Sequence, residues 1–224
     1  METGRGKIIV IEGGDGAGKA TQTKLLVDHL EADGLPVATF DFPQYEMNTF
    51  GKLIREVLDG KRGDYLNMDP RIASTLFAAD RYESKAMLEN DLEDGTTLVL
   101  DRYVSANMLH QGAKITDAAE RTELMQWIAH VEHEVFGLPR PDLVVYLDVS
   151  SATRERLLHE HTDRNRELDV AEASHEHQER IAAAAETVLT QYEHWQNVVC
   201  EADGELMTPE VIHEQVYQAV RAIL

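Results

Sequence analysis

The sequence predicts an α/β fold: a five-stranded parallel sheet with helices on both faces. Three observations carry this reading. Five short apolar runs alternate with helical patterns along the chain. Their centres, IIVI, LVL and LVVYL among them, are continuous rather than alternating, as strands are when helices cover both sides. The first run also leads straight into a glycine-rich loop that opens a helix. Strands separated by helices imply parallel pairing and a doubly wound sheet.

The first strand is read at Lys7 to Glu12, and the helical pattern from Lys19 to Asp33 stops at Gly34 with Pro36 just beyond. Val37 to Asp41 forms the second strand. Asp69-Pro70 opens a later helix as N-cap and first-turn proline. Thr97 to Asp101 is the third strand. Leu124, Trp127, Ile128, Val131 and Val135 then recur with helical spacing, an apolar stripe that serves as core or as a dimer seam. Leu143 to Asp148 and Val198 to Glu201 are the fourth and fifth strands, and Thr208-Pro209 starts the last helix. No repeat, low-complexity tract or Pro/Gly/Ser linker divides the 224 residues, so a single domain is expected.

Composition excludes several functions. With 41 acidic against 21 basic residues the formal charge is −20, a field that repels nucleic acid and anionic membrane. No apolar run approaches a membrane span, and Met1 to Lys7 lacks the apolar stretch of a signal peptide. The one cysteine, Cys200, excludes an intrachain disulfide and suits a reducing compartment, so a cytoplasmic location is expected. Ten histidines invite a zinc reading, but no H-E-x-x-H or cysteine-bearing spacing supports one.

The chemistry begins after the first strand. Gly13, Gly14, Asp15, Gly16, Ala17, Gly18, Lys19, Ala20 and Thr21 come close to G-x-x-x-x-G-K-[ST], whose backbone N–H groups cradle phosphates while the lysine reaches the β/γ-phosphates. Ala20 departs from the motif where a hydroxyl normally meets Mg²⁺, and Thr21 lies about 100° further round the helix. Asp101 and Asp148 each end a strand, at the crevice where open α/β sheets bind ligands. Asp101 is favoured for the Mg²⁺ side, acting through water, because Arg102 beside it supplies a phosphate clamp.

Further stretches follow in order: Ile11-Glu12-Gly13, Phe42-Pro43, Gly51-Lys52-Leu53-Ile54, Leu76 to Arg81, Asp101-Arg102-Tyr103-Val104 with Asn107, Gln111 to Lys114, and Arg164, Arg166, Leu168-Asp169 and Glu172. Together with the phosphate loop this ordered set resembles the thymidylate kinase family of P-loop kinases, over nearly the whole chain. The resemblance implies a P-loop kinase fold with a mobile lid at about 159–176, a homodimer, and transfer of phosphate from ATP, with Mg²⁺, to dTMP. It implies that Phe77 stacks on thymine and Arg81 bonds its carbonyl, four residues apart on one helix face. Asn107 can donate to and accept from a pyrimidine edge. Phe42, Pro43, Tyr45 and Gln111 join the substrate site, Asp15 accepts from the 3′-hydroxyl, and His110 replaces an aromatic residue beside the sugar. Lys19, Arg102, Arg164 and Arg166 supply charge to the transferring group.

Three positions depart from the family pattern. Tyr45 stands where many relatives have arginine, which leaves more charge to Arg102. Ala106 replaces a serine, with Ser105 one residue early, and His177 stands where an aromatic is common. Two rivals remain: a deoxynucleoside kinase, which would want a carboxylate after the second strand, and a nucleotide-binding regulatory protein without catalysis, supported by Ala20. The acidic surface makes its own prediction, since self-repulsion is relieved by screening. Melting temperature should rise markedly between dilute buffer and molar KCl; a flat or falling curve would make the acidity incidental to stability.

Overall fold

A computed structural model describes residues 4–162, 171 and 174–224 of the chain. Its centre is a five-stranded parallel sheet in the order β2-β3-β1-β4-β5, formed by β1 (Ile8–Glu12), β2 (Val37–Asp41), β3 (Thr97–Asp101), β4 (Leu143–Asp148) and β5 (Trp195–Val199). Successive side chains of a strand point to opposite faces. Ile8 and Val10 therefore join Leu98, Leu100, Val144 and Tyr146 on one side, while Ile9 and Ile11 join Val99, Val145 and Leu147 on the other.

The first face is covered by α4 (Lys85–Glu93), α5 (Val104–Gly112), α6 (Ala118–Ala129) and α8 (His175–Gln191), through residues such as Leu88, Met108, Ile128 and Val188. The second is covered by α1 (Lys19–Ala32) and α9 (Pro209–Arg221), through Leu26, Leu30, Ile212 and Val216. All five residues of β1 are buried, which is why Ile8 to Ile11 read as an unbroken apolar run before Glu12. Two more helices, α2 (Thr49–Leu58) and α3 (Pro70–Glu83), pack on each other around Ile54, Val57 and Ala73 beyond the carboxyl ends of the strands. The Asp69 carboxylate caps α3 by accepting from the N–H groups of Arg71 at 2.9 Å and Ile72 at 3.1 Å. Between β4 and α8 lies α7 (Ser151–Thr162). Among the described residues no helix is long and apolar enough to cross a membrane.

Two expectations need correcting. The fifth strand is Trp195–Val199, not Val198 to Glu201: Val144 to Asp148 pair with residues 195–199 in register. As an edge strand it tolerates exposed Gln196 and half-buried Asn197, which hid its start. Glu201-Ala202 instead forms β6, paired antiparallel with β7 (Glu205–Leu206). The apolar stripe also breaks. Leu124 and Ile128 are core, but α6 runs into a π-helical turn, His130–Val135, that rotates the inward face. Val135 is left 63% exposed and Glu132 is turned inward, 1% exposed.

Candidate active site

The sheet order places β1 beside β3, with Ile11 level with Asp101, so the segments that follow these two strands meet at one crevice. A cleft of about 670 Å³ opens there. After β1 the chain turns through Gly13 (φ 154°), Gly16 (φ 83°) and Gly18 (φ 87°), conformations that suit glycine, and enters α1 at Lys19. The Lys19 ammonium lies over its own loop, donating to the carbonyls of Gly13 at 3.1 Å and Gly14 at 3.0 Å. Burial and the neighbouring Arg102 lower its pKa, so a bound anion would restore charge it already has reason to lose. Ala20 and Thr21 both line the cleft, and position 20 offers it no hydroxyl.

Arg102 follows β3 with a left-handed backbone, φ 66°, an uncommon conformation for a non-glycine residue and typical of functional sites. Its guanidinium donates to the Asp15 carboxylate and to His110 Nε2 at 2.8 Å, with the Glu12 carboxylate 3.7 Å away. Arginine always donates, so His110 accepts at Nε2 and is neutral there. Burial and Arg102 push the His110 pKa well down. Burial alone would raise Asp15, but Arg102, with Lys19 and the other donors around it, together outweigh burial and hold the carboxyl far below the usual range. The other Asp15 oxygen accepts from Gln178 Nε2 at 2.7 Å. Ser105, one residue early in the family pattern, is buried and donates to Glu12 at 2.7 Å, while Ala106 lines the cleft.

Phe77 and Arg81 line the other end of the cleft, with Phe77 half-buried and its ring 6.1 Å from that of Tyr65. Arg81 is 1% exposed and forms a two-pronged ion pair with Glu132, at 2.6 and 2.7 Å through Nε and Nη2. Asn107 donates through Nδ2 to the Ser74 carbonyl at 3.0 Å and to Glu132 at 2.7 Å. Both partners are acceptors, so the amide orientation is fixed: Asn107 has only its oxygen left to offer, not a donor as well. Gln111 is fully buried and its amide donates to the Tyr65 hydroxyl at 2.9 Å. Phe42 packs near the Tyr103 ring, and Pro43 and Tyr45 border the cleft behind it.

Several residues in the cleft or holding its lining escaped the sequence reading. Glu132 had a signal: it falls four residues after Ile128, a charged residue in core phase. Arg55 also lines the cleft, with its guanidinium 3.8 Å above the Tyr45 ring. It therefore brings charge to the place of the missing family arginine, and Arg102 is not alone there. Its signal was the spacing Gly51, Arg55, Leu58 on one helix face. Tyr65, in a loop, gave none. Of the two strand-end carboxylates, Asp101 lines the cleft, as does Asp41, whereas Asp148 lies outside it and accepts from Asn197 at 3.1 Å. Arg164, Arg166, Leu168, Asp169 and Glu172 of the expected lid lie outside the described residues.

A family model described as "Thymidylate kinase" matches residues 11–207. The chain belongs to the thymidylate kinase family. A thymidylate kinase of Mycobacterium tuberculosis is 35% identical over 144 residues, 64% of this chain and 66% of the relative. The human thymidylate kinase is 34% identical over 152 residues, 68% of this chain and 65% of the relative. The chain thus spans just under two-thirds of the length of these curated relatives. A solved thymidylate kinase of Candida albicans superposes with a TM-score of 0.73 at 23% identity, covering 97% of this chain and 92% of that one. That likeness fixes the fold.

Within this thymidylate kinase fold Glu132 is the buried anchor of two site residues. Glu132→Ala would leave Arg81 buried and unpaired, which should cost about 3–5 kcal/mol in urea unfolding; an unchanged unfolding free energy would deny the pair its role. His177 gives a pH prediction. Burial, with Lys114 nearby, lowers its pKa from 6.5 to about 4. Between these values the unfolded chain binds a proton that the folded chain does not, so stability falls as pH drops through that window, by about 1 kcal/mol per pH unit. His177→Gln should flatten the slope relative to wild type, and equal slopes would contradict the shift.

Proposed function

We propose that this protein transfers the γ-phosphoryl group of ATP to dTMP. The carrying observation is one cleft that holds, at one end, a phosphate loop with its lysine and, at the other, Phe77, Arg81 and Asn107. Glu132 takes Nε and Nη2 of Arg81 and one Nδ2 hydrogen of Asn107. What remains is a donor, Arg81 Nη1, and an acceptor, Asn107 Oδ1. A thymine edge offers the complement, a carbonyl oxygen and the N3–H group. Cytosine, with an amino group and a bare ring nitrogen, mismatches both.

The loop N–H groups and Lys19 hold the donor phosphates, and Arg102 with Arg55 meets the acceptor phosphate. That phosphate is already an oxyanion, so no strong general base is required. Mg²⁺ arriving with ATP would neutralise charge on the β/γ-phosphates. Oxygen donors suit it, and Asp101 in the cleft is the residue that would hold it, through water since Ala20 supplies no hydroxyl. The family resemblance gives Arg164 and Arg166 to the transferring group. The reading extends to a homodimer, supported by exposed Ile72, Tyr82, Met87 and Val135 on α3, α4 and the π-helical turn, and to the cytoplasm, in keeping with the single Cys200.

A coupled ADP-release assay over a nucleotide panel tests the substrate. dTMP should give the highest kcat/KM, ahead of dUMP and far ahead of dCMP and of the ribose form of TMP. Phe77→Ala should weaken dTMP binding by about 1–3 kcal/mol. Thymidine as the better acceptor would favour the deoxynucleoside kinase, and no turnover at all the regulatory protein.

A further inference from the structure

Arg154, in the first turn of α7, is a buried arginine that the proposed chemistry has not used. It is 3% exposed, and its bonds run to neutral oxygens: Nε to the Val149 carbonyl at 3.2 Å, Nη1 to Gln178 Oε1 at 2.7 Å and Nη2 to the Gln178 carbonyl at 3.0 Å. Among the described residues no carboxylate forms an ion pair with it. A buried charge without a counter-charge is costly, so its placement calls for one.

The guanidinium lies directly against the phosphate loop. A Cβ at Gly14 would stand 2.0 Å from Arg154 Nη1 and 2.4 Å from Cζ, and one at Gly16 would stand 2.7 Å from the Arg154 carbonyl oxygen. Gly14 occupies a free position of the G-x-x-x-x-G-K pattern and is not among the glycines with positive φ. Its lack of a side chain is therefore a matter of space, and Arg154 fills that space. Gln178 extends the contact, because the amide whose oxygen accepts from Arg154 donates to Asp15 at 2.7 Å.

We propose that Arg154 is a positioning residue for the donor phosphates: it does not line the cleft but packs on Gly14 to set the loop, and its uncompensated charge beside the loop favours a bound triphosphate. This rests on the reading of the loop as an ATP site. Loss of Arg154 leaves Gln178 its bonds to Asp15 and to the Ala171 carbonyl, and leaves Asp15 its bond to Arg102. The effect should accordingly fall on the donor and spare the acceptor.

The test is a double-mutant cycle read by direct binding: a fluorescent ATP analogue for the donor, calorimetry for dTMP, and thermal melts to confirm folding. Arg154→Ala should weaken the ATP analogue by about tenfold or more, with dTMP affinity changed by less than about threefold. Arg154→Lys should recover only part of the loss, because lysine keeps the charge but not the three-way fork. Gly14→Ala, which leaves Arg154 in the chain but displaces it, should weaken the analogue comparably in the wild type and add little in the Arg154→Ala background. Additive losses, or Gly14→Ala binding like wild type, would overturn the proposal, as would equal losses for both ligands. A wild-type chain that binds dTMP but no ATP analogue would instead overturn the ATP reading of the loop, and this proposal with it.

Discussion

The pairing of Asp15 with Arg102 ties together two segments that the sequence separates by almost ninety residues. Asp15 belongs to the loop after β1, and Arg102 to the turn after β3. The sheet makes them neighbours, because Ile11 lies level with Asp101 in adjacent strands. Arg102 then holds a left-handed backbone to aim its guanidinium back across the crevice. The cost of that backbone is met by charge: Asp15 bonded and Glu12 close by, both out of water. Ion pairs in such places gain strength because little solvent screens them, and they lose it all if one partner goes.

From this pair the rest of the cleft can be followed outward. On one side Gln178 reaches Asp15 and carries Arg154 against the loop; on the other, Arg102 fixes the tautomer of His110, which lies 3.4 Å from His177. A second buried centre, Glu132, performs the same service for Arg81 and Asn107. Each acidic residue orients cations or amides that would otherwise be free to turn, so the surface presented to a ligand is largely preorganised before binding. The acidic excess of the chain therefore has two parts. A few carboxylates are buried and shape the site, and the majority face solvent.

The framework was legible because its signals are local. Continuous apolar strands, the Gly34 stop, the Asp69 cap and the glycine loop each follow from neighbouring residues. Four of the five strands stand within one residue of their expected bounds; the fifth slipped because edge strands tolerate polar residues such as Gln196. The site was legible where a motif named it: Lys19, Asp101, Arg102 and Phe77 all line one cleft. What escaped was long-range. A π-helical turn that leaves Val135 exposed cannot be seen from a helical period, and although Glu132 falls in core phase after Ile128, its pairing with Arg81 joins residues 51 apart. Arg154 and Gln178 were invisible for the same reason, since only the folded chain sets both against Gly14 and Asp15.

The crevice depends above all on Asp15 and Arg102 acting as a unit. The direct measurement is kcat/KM for dTMP at saturating ATP in the wild type, Asp15→Asn, Arg102→Lys and the double variant. The pairing predicts that each single change costs nearly as much as both together, a coupling of about 0.5–3 kcal/mol. Losses that simply add would mean that the two side chains serve the reaction independently, and would contradict a crevice organised around their ion pair.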